Sequence, residues 1–317
     1  MIRVIGNRSR IGRVRRGPRR LKSLAFVPTL FTLGNLVCGF AAIHFALRAM
    51  FDLGAGVDAS LSLTLRSVQL ERILPSFLSA GAGLILLGML LDAFDGVVAR
   101  VTRSTTDFGG QLDSLADIVT MGVAPAVLMV AFMTKELAGE SILPSPISPY
   151  FWGRFTWVSA AVYVAFAAIR LARYNVEHAR ADFDHRMFRG LPSPGAAITL
   201  ATLVIVQEQA EPGLRYAIMC AMPFVALATA SLMVSRMPYK RFYRAYLVGR
   251  KPFGQFVALV LLLAVFASHP ALTLLVVVFW YVLSGPVESL IRYLRQRAAP
   301  GLRDSSPGEA QPRRKLA

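Results

Sequence analysis

Long apolar stretches separated by short polar ones organise this chain. Runs of about 20 residues are long enough to cross a hydrocarbon core of about 30 Å. They fall near Val27–Leu47, Leu74–Leu91, Ile118–Met133 with its flanks and Trp157–Ala172 with its flanks, then near Gly190–Val206, Tyr216–Val234, Phe253–Ala267 and Ala271–Gly285. Runs of this length predict membrane-spanning helices. The expected architecture is an all-α, polytopic helical membrane protein with eight spans. The first run follows a long Arg-rich arm and is too long for the apolar region of a secretory signal.

Composition agrees with this reading. Of the 317 residues, 55% are hydrophobic, above the roughly 45–50% of soluble domains, and the mean hydropathy is +0.52. The net charge of +17 raises the question of a nucleic-acid partner, and its distribution answers it. With eight spans and a cytoplasmic N-terminus, 29 of the 35 Lys and Arg lie on the cytoplasmic side, as the positive-inside rule requires. They include Arg13, Arg15, Arg16, Arg19 and Arg20 in the arm, the loop 236–251, and Arg313, Arg314 and Lys315 in the tail. Basic segments beside spans hold anionic membrane lipids, so no nucleic-acid partner is expected. Both termini and the polar ends described below are placed in the cytoplasm. A cysteine near Lys240 in a cysteine-free background should then react with impermeant thiol reagents only after the membrane is opened. One at Ser60 should react in intact cells, and the reverse labelling pattern overturns the orientation.

Four parts are expected. Residues 1–23 are a basic cytoplasmic arm, 24–235 a core of six spans, 236–296 a basic loop with two further spans, and 297–317 a disordered tail rich in Pro, Ser and Gly. Residues 48–73 form a long outer loop. Cys38 and Cys220 each sit alone in an apolar run, and the four His residues show no paired spacing, which argues against a disulfide or a zinc site.

Asp92, Asp95, Asp113 and Asp117 stand at the edges of two strongly apolar segments. A carboxylate there is costly unless it is solvated, paired or metal-bound. Asp92 and Asp95 are three apart and Asp113 and Asp117 four apart, so each pair shares one helix face. The polar turn containing Thr102, Ser104, Thr105 and Thr106 lets the two helices fold back and aim both faces at one point. Four hard oxygen donors without His or Cys favour Mg2+ or Mn2+, with Ca2+ also compatible, over zinc. Two ions fit the pattern, since paired metals stabilise the attacking and leaving oxygens of a phosphoryl displacement. Asp107, in the turn, is expected to be a solvated acid or the N-cap of the next helix.

The string Asp92-x-x-Asp95-Gly96-x-x-Ala99-Arg100, eight residues, Gly109-x-x-x-Asp113-x-x-x-Asp117 resembles the signature of the CDP-alcohol phosphatidyltransferases at every fixed position. The resemblance implies that Asp92, Asp95 and Asp113 are metal ligands and that Asp117 is both a metal-proximal ligand and the general base toward the acceptor hydroxyl. It also implies a site for CDP-diacylglycerol. Gly96, Ala99 and Gly109 would remove bulk beside the nucleotide, and Arg100 would grip phosphate in a bidentate contact. Asn35, an amide within the first span, would touch the donor or hydrogen-bond between helices.

Three further stretches are similar to the serine-using branch of that family, the bacterial and archaeal type phosphatidylserine synthases. They are Phe31-Thr32-Leu33-Gly34-Asn35-Leu36-Val37-Cys38-Gly39-Phe40, the segment from Phe108 through Asp117 to Pro125, and Arg170-Leu171-Ala172-Arg173-Tyr174-Asn175 with Phe188-Arg189-Gly190-Leu191-Pro192-Ser193-Pro194. The similarity extends over about residues 24–235 and implies L-serine as acceptor and a homodimeric assembly. A serine pocket needs a fixed cation and neutral acceptors. Arg170, Arg173 and Arg189 are the candidate cations, and Asn175 and Ser193 the neutral groups. Positive-inside anchoring is the alternative for Arg170 and Arg173, and close helix packing is the expected role of Gly34 and Gly39. Glycerol 3-phosphate, inositol phosphate and choline remain open as acceptors. A cation transporter, the rival from another class, would hold its carboxylates near the bilayer midplane rather than at span ends.

Overall fold

The computed structural model describes residues 26–51, 76–102, 107–137, 144–178, 187–240 and 253–298. The basic arm, most of the outer loop, Ser104 through Thr106 of the polar turn and the C-terminal tail lie outside the described residues. The helices are α1 (Phe26–Phe51), α2 (Phe77–Thr102), α3 (Asp107–Asp117), α4 (Ala124–Glu136), α5 (Phe151–His178), α6 (Ser193–Gln207), α7 (Pro212–Val234), α8 (Phe253–Ser268) and α9 (Pro270–Ala298). Strands β1 (Met187–Arg189) and β2 (Pro238–Lys240) pair antiparallel in the register Met187↔Lys240, Phe188↔Tyr239 and Arg189↔Pro238. This small ribbon joins two polar loops that the hydropathy pattern left unstructured.

The apolar runs fold as helices, but not all are of spanning length. Among the described residues, six segments are long and apolar enough to cross a membrane: Val27–Phe51, Phe77–Ala99, Phe108–Glu136, Phe151–Glu177, Pro212–Val234 and Pro270–Arg295. The other two, α6 and α8, have 15 and 16 residues, or about 23 Å at 1.5 Å per residue. Helix α6 nevertheless runs from one polar end of the bundle to the other. At its start Ser193 accepts a hydrogen bond from Arg170 of α5. Beyond its last turn Glu208 accepts one from Ser76 at the head of α2, 2.6 Å away. Its side chains are almost all buried, so it can be shorter than a lipid-facing helix. Arg215 of α7 and Glu136 of α4, 2.7 Å apart, tie the same far end.

Small residues set how closely the helices approach. Ala42, Ala46 and Ala49 form one buried stripe of α1, and a Cβ on Gly81 of α2 would come 3.2 Å from the Ala42 carbonyl oxygen. Such contacts suit membrane helices, whose association rests on close packing rather than on removal of apolar surface from water. The third span is not one regular helix. Between α3 and α4, Ile118–Val123 form a π-helical turn, closed by Ala124 N–H donating to the Val119 carbonyl five residues back. The wider turn changes the register between the carboxylate face of α3 and the buried face of α4. Thr120 in this turn donates to the Asn35 carbonyl at 2.9 Å. A Cβ on Gly39 would fall 2.9 Å from Thr120 Cα, so the packing role expected of Gly39 is realised against this turn. Gly34 plays the same part against Leu91, 3.1 Å from where its Cβ would be.

Candidate active site

One end of the bundle gathers the acidic signature. Carboxylate oxygens of Asp92, Asp95 and Asp113 lie within 4.8 Å of one another. Two adjacent turns of α2 supply the first two, and α3, which packs on α1, supplies the third. Asp95 is buried and is held by α1, where the Thr32 hydroxyl donates to its Oδ2 at 2.9 Å. Asp113 Oδ1 is buried without a hydrogen-bond partner. A buried carboxylate oxygen in that state is costly, and together with two neighbouring hard oxygen donors it fits a divalent cation and not a soft metal.

Asp117 stands outside this three-carboxylate set. The Asn35 side-chain amide donates to its Oδ1 at 3.2 Å, and it lies within electrostatic reach of Asp92, Asp113, Asp95 and the Arg170 guanidinium. Asn35 is fully buried, and its own Oδ1 has no hydrogen-bond partner. Asp113 and Asp117, one turn of α3 apart, therefore have different surroundings: Asp113 joins the three-carboxylate cluster, and Asp117 receives the Asn35 amide. Gly96 has nothing within 4 Å of the position a Cβ would take, so its lack of a side chain opens space beside Asp95 and is not used for packing. Ala99 and Gly109 are half-buried on either side of the turn. Arg100 belongs to α2, and its side chain lies outside those described, as do the side chains of Asp107 and of Arg189 in β1.

The expected acceptor residues separate. Arg170, near the C-terminal end of α5, donates to Ser193 Oγ and lies 5.8 Å over the Tyr174 ring. Arg173 turns elsewhere, donating to the carbonyls of Val234 at 3.1 Å and Ser235 at 3.3 Å at the C-terminal end of α7. A cation there satisfies terminal carbonyls and complements the helix dipole. Asn175 is exposed and donates to Ser114 Oγ at 2.9 Å, bracing α5 against α3. Thr32 and Thr120 are the polar residues that the sequence reading missed. Thr32 stands three before Asn35, on the same face of α1, and that spacing was the available signal.

The CDP-alcohol phosphatidyltransferase family model matches residues 25–228, about two thirds of the chain and including every acidic residue of the site. The chain belongs to this family. Among curated members, it is similar to CDP-diacylglycerol--serine O-phosphatidyltransferases. That of Helicobacter pylori strain J99 is 29% identical over 60% of this chain and 61% of its own length. That of Mycobacterium bovis is 28% identical over 71% and 64%, and that of Bacillus subtilis 29% over 56% and 75%. The chain thus spans less than two thirds of the length of the first two relatives. In this family member, α8 and α9 follow the matched region.

Proposed function

We propose that this protein transfers the phosphatidyl group of CDP-diacylglycerol to L-serine, releasing CMP. The observation that carries the reading is the three-carboxylate cluster within electrostatic reach of Asp117, which is itself within reach of the Arg170 that donates to Ser193. A divalent cation bound by Asp92, Asp95 and Asp113 would polarise the diphosphate and neutralise charge on the departing CMP. Gly96 and Ala99 leave room for the nucleotide against α2, and Arg100 follows on the same helix as its phosphate ligand. Asn35 fixes Asp117 through Oδ1, so that this carboxylate can take the proton of the acceptor hydroxyl. The serine oxygen then bonds to the phosphorus that carries diacylglycerol, the bond from that phosphorus to the CMP oxygen breaks, and the proton rests on Asp117.

The acceptor assignment rests on Arg170 and Ser193 and on the names of the relatives. A guanidinium has further N–H groups beyond the one given to Ser193, in a fork that matches a carboxylate. Arg173, committed to the end of α7, has a structural task in this reading. Arg170→Ala is expected to lower kcat/KM for serine about ten- to hundredfold, the value of one charged hydrogen-bond partner, with donor affinity retained.

The deciding assay is CMP release by the detergent-solubilised protein with CDP-diacylglycerol and Mg2+ or Mn2+. It is run against serine, glycerol 3-phosphate, inositol phosphate and choline. Release that depends on serine supports the proposal. Preference for glycerol 3-phosphate overturns the acceptor and leaves phosphatidyl transfer standing, and no release with any alcohol overturns both.

A further inference from the structure

The family match ends at residue 228, yet α9 packs on α6 and on β2, two elements that flank Ser193. Tyr239, at the centre of β2, is fully buried, and its hydroxyl donates to the Val282 carbonyl of α9 at 2.9 Å. In a regular helix that carbonyl would accept from residue 286. Here residue 286 is a proline within the helix and has no N–H to give, so the tyrosine supplies the missing donor. Gly285 completes the fit, since a Cβ there would lie 2.5 Å from Tyr239 Cε2. These three residues clamp α9 to the core.

One turn earlier on α9 is Tyr281. Its ring is 5.9 Å from that of Tyr239, and its Cε1 lies 3.1 Å from where Gly195 would carry a Cβ. Gly195 is two residues beyond Ser193, and Arg170 lies within electrostatic reach of Tyr281. The backbone leading to Ser193 is anchored as well. Gly190, at φ +84°, donates to the Met237 carbonyl at 2.8 Å, and Leu191 donates to the Leu232 carbonyl at 2.9 Å. A left-handed conformation at 190 favours glycine, and it delivers the chain from β1 to the start of α6.

We infer that the C-terminal helix α9 forms a wall of the acceptor site, with Tyr281 as a positioning residue behind Arg170 and Ser193 and Tyr239 as the clamp that seats it. The inference rests on the reading of Arg170 and Ser193 as the acceptor pocket. Tyr281 limits the room available to the alcohol and keeps Arg170 directed toward Asp117. The segment beyond the family core therefore acts on acceptor selection, whereas donor binding belongs to α1, α2 and α3.

The test is steady-state CMP release by the full-length protein, with KM for acceptor and donor measured separately. Tyr281→Ala is expected to raise the acceptor KM about tenfold, the low end of losing one charged hydrogen bond from a misdirected Arg170, while the donor KM stays within a factor of about two. Tyr281→Phe should restore the wild-type acceptor KM, and Tyr239→Phe should shift it in the same direction as Tyr281→Ala. Trp280→Ala, at a side chain 80% exposed on the same helix, should leave all constants unchanged. An unaltered acceptor KM in Tyr281→Ala, or an equal rise in donor KM, overturns the inference. If Tyr281→Ala does not yield folded protein, Tyr281→Leu is read by the same criteria. Should the wild type prefer an alcohol other than serine, the ratio is read on that alcohol. The serine assignment then fails while the wall is still tested, and absence of CMP release with every alcohol overturns both.

Discussion

Asp113→Asn is expected to reduce CMP release about a thousandfold or more at any Mg2+ or Mn2+ concentration, and exhaustive chelation of the unaltered protein should do the same. Asp113 offers a buried oxygen with no protein partner within 4.8 Å of carboxylate oxygens from Asp92 and Asp95. An amide keeps the shape and removes the charge. The several kcal/mol that a bound cation contributes to the leaving group correspond to about three powers of ten in rate. Stability should move the opposite way. Three carboxylates held together without a cation repel one another, so the chelated Asp113→Asn protein should melt at a higher temperature than the chelated wild type. Metal titration of CMP release and thermal melts in EDTA check both halves. Full turnover after EDTA treatment, with metal analysis showing empty protein, would defeat the metal proposal. A wild-type metal response in Asp113→Asn would remove Asp113 from the ligand set.

The second large effect is expected at Asp117, where Asn should lower turnover about a hundredfold to ten-thousandfold, the range for loss of a general base. Binding of CDP-diacylglycerol should be much less affected, because Asp117 lies outside the three-carboxylate set and is held instead by Asn35 at 3.2 Å. Donor affinity, measured by calorimetry in the presence of metal, separates this result from that of Asp113→Asn, which should weaken donor binding as well as turnover. Asn35→Ala should reproduce part of the loss, since it frees the carboxylate without removing it. Near-normal turnover of Asp117→Asn at saturating serine would reassign the base. An equal loss of donor affinity would make Asp117 a ligand and not a base.

Local spacing along single helices already determined much of this protein. The apolar runs specify membrane helices because a backbone in hydrocarbon must satisfy its own hydrogen bonds. The gaps of three and four between aspartates place each pair on one face by helix geometry alone. The signature from Asp92 to Asp117 was thereby enough to indicate a hard-cation site and the family. Span length was less legible, because α6 is short inside a ring of other helices and hydropathy does not record what surrounds a segment.

Contacts between elements distant in the chain were decided only by tertiary packing. Arg170 and Arg173 are equivalent in composition and nearly so in position, but three residues turn the helix by about 300°. That rotation sends one guanidinium to Ser193 and the other to the carbonyls of Val234 and Ser235. The surroundings of Asp117 include Asn35, 82 positions away, whose amide donates to its Oδ1, and a π-helical turn that starts at the next residue. The placement of Tyr281 needs Pro286 to leave a carbonyl open and Tyr239 to fill it. A periodic pattern encodes which face of a helix is apolar or acidic, while the partner of that face is chosen by steric fit among several helices at once, which no single stretch of sequence contains.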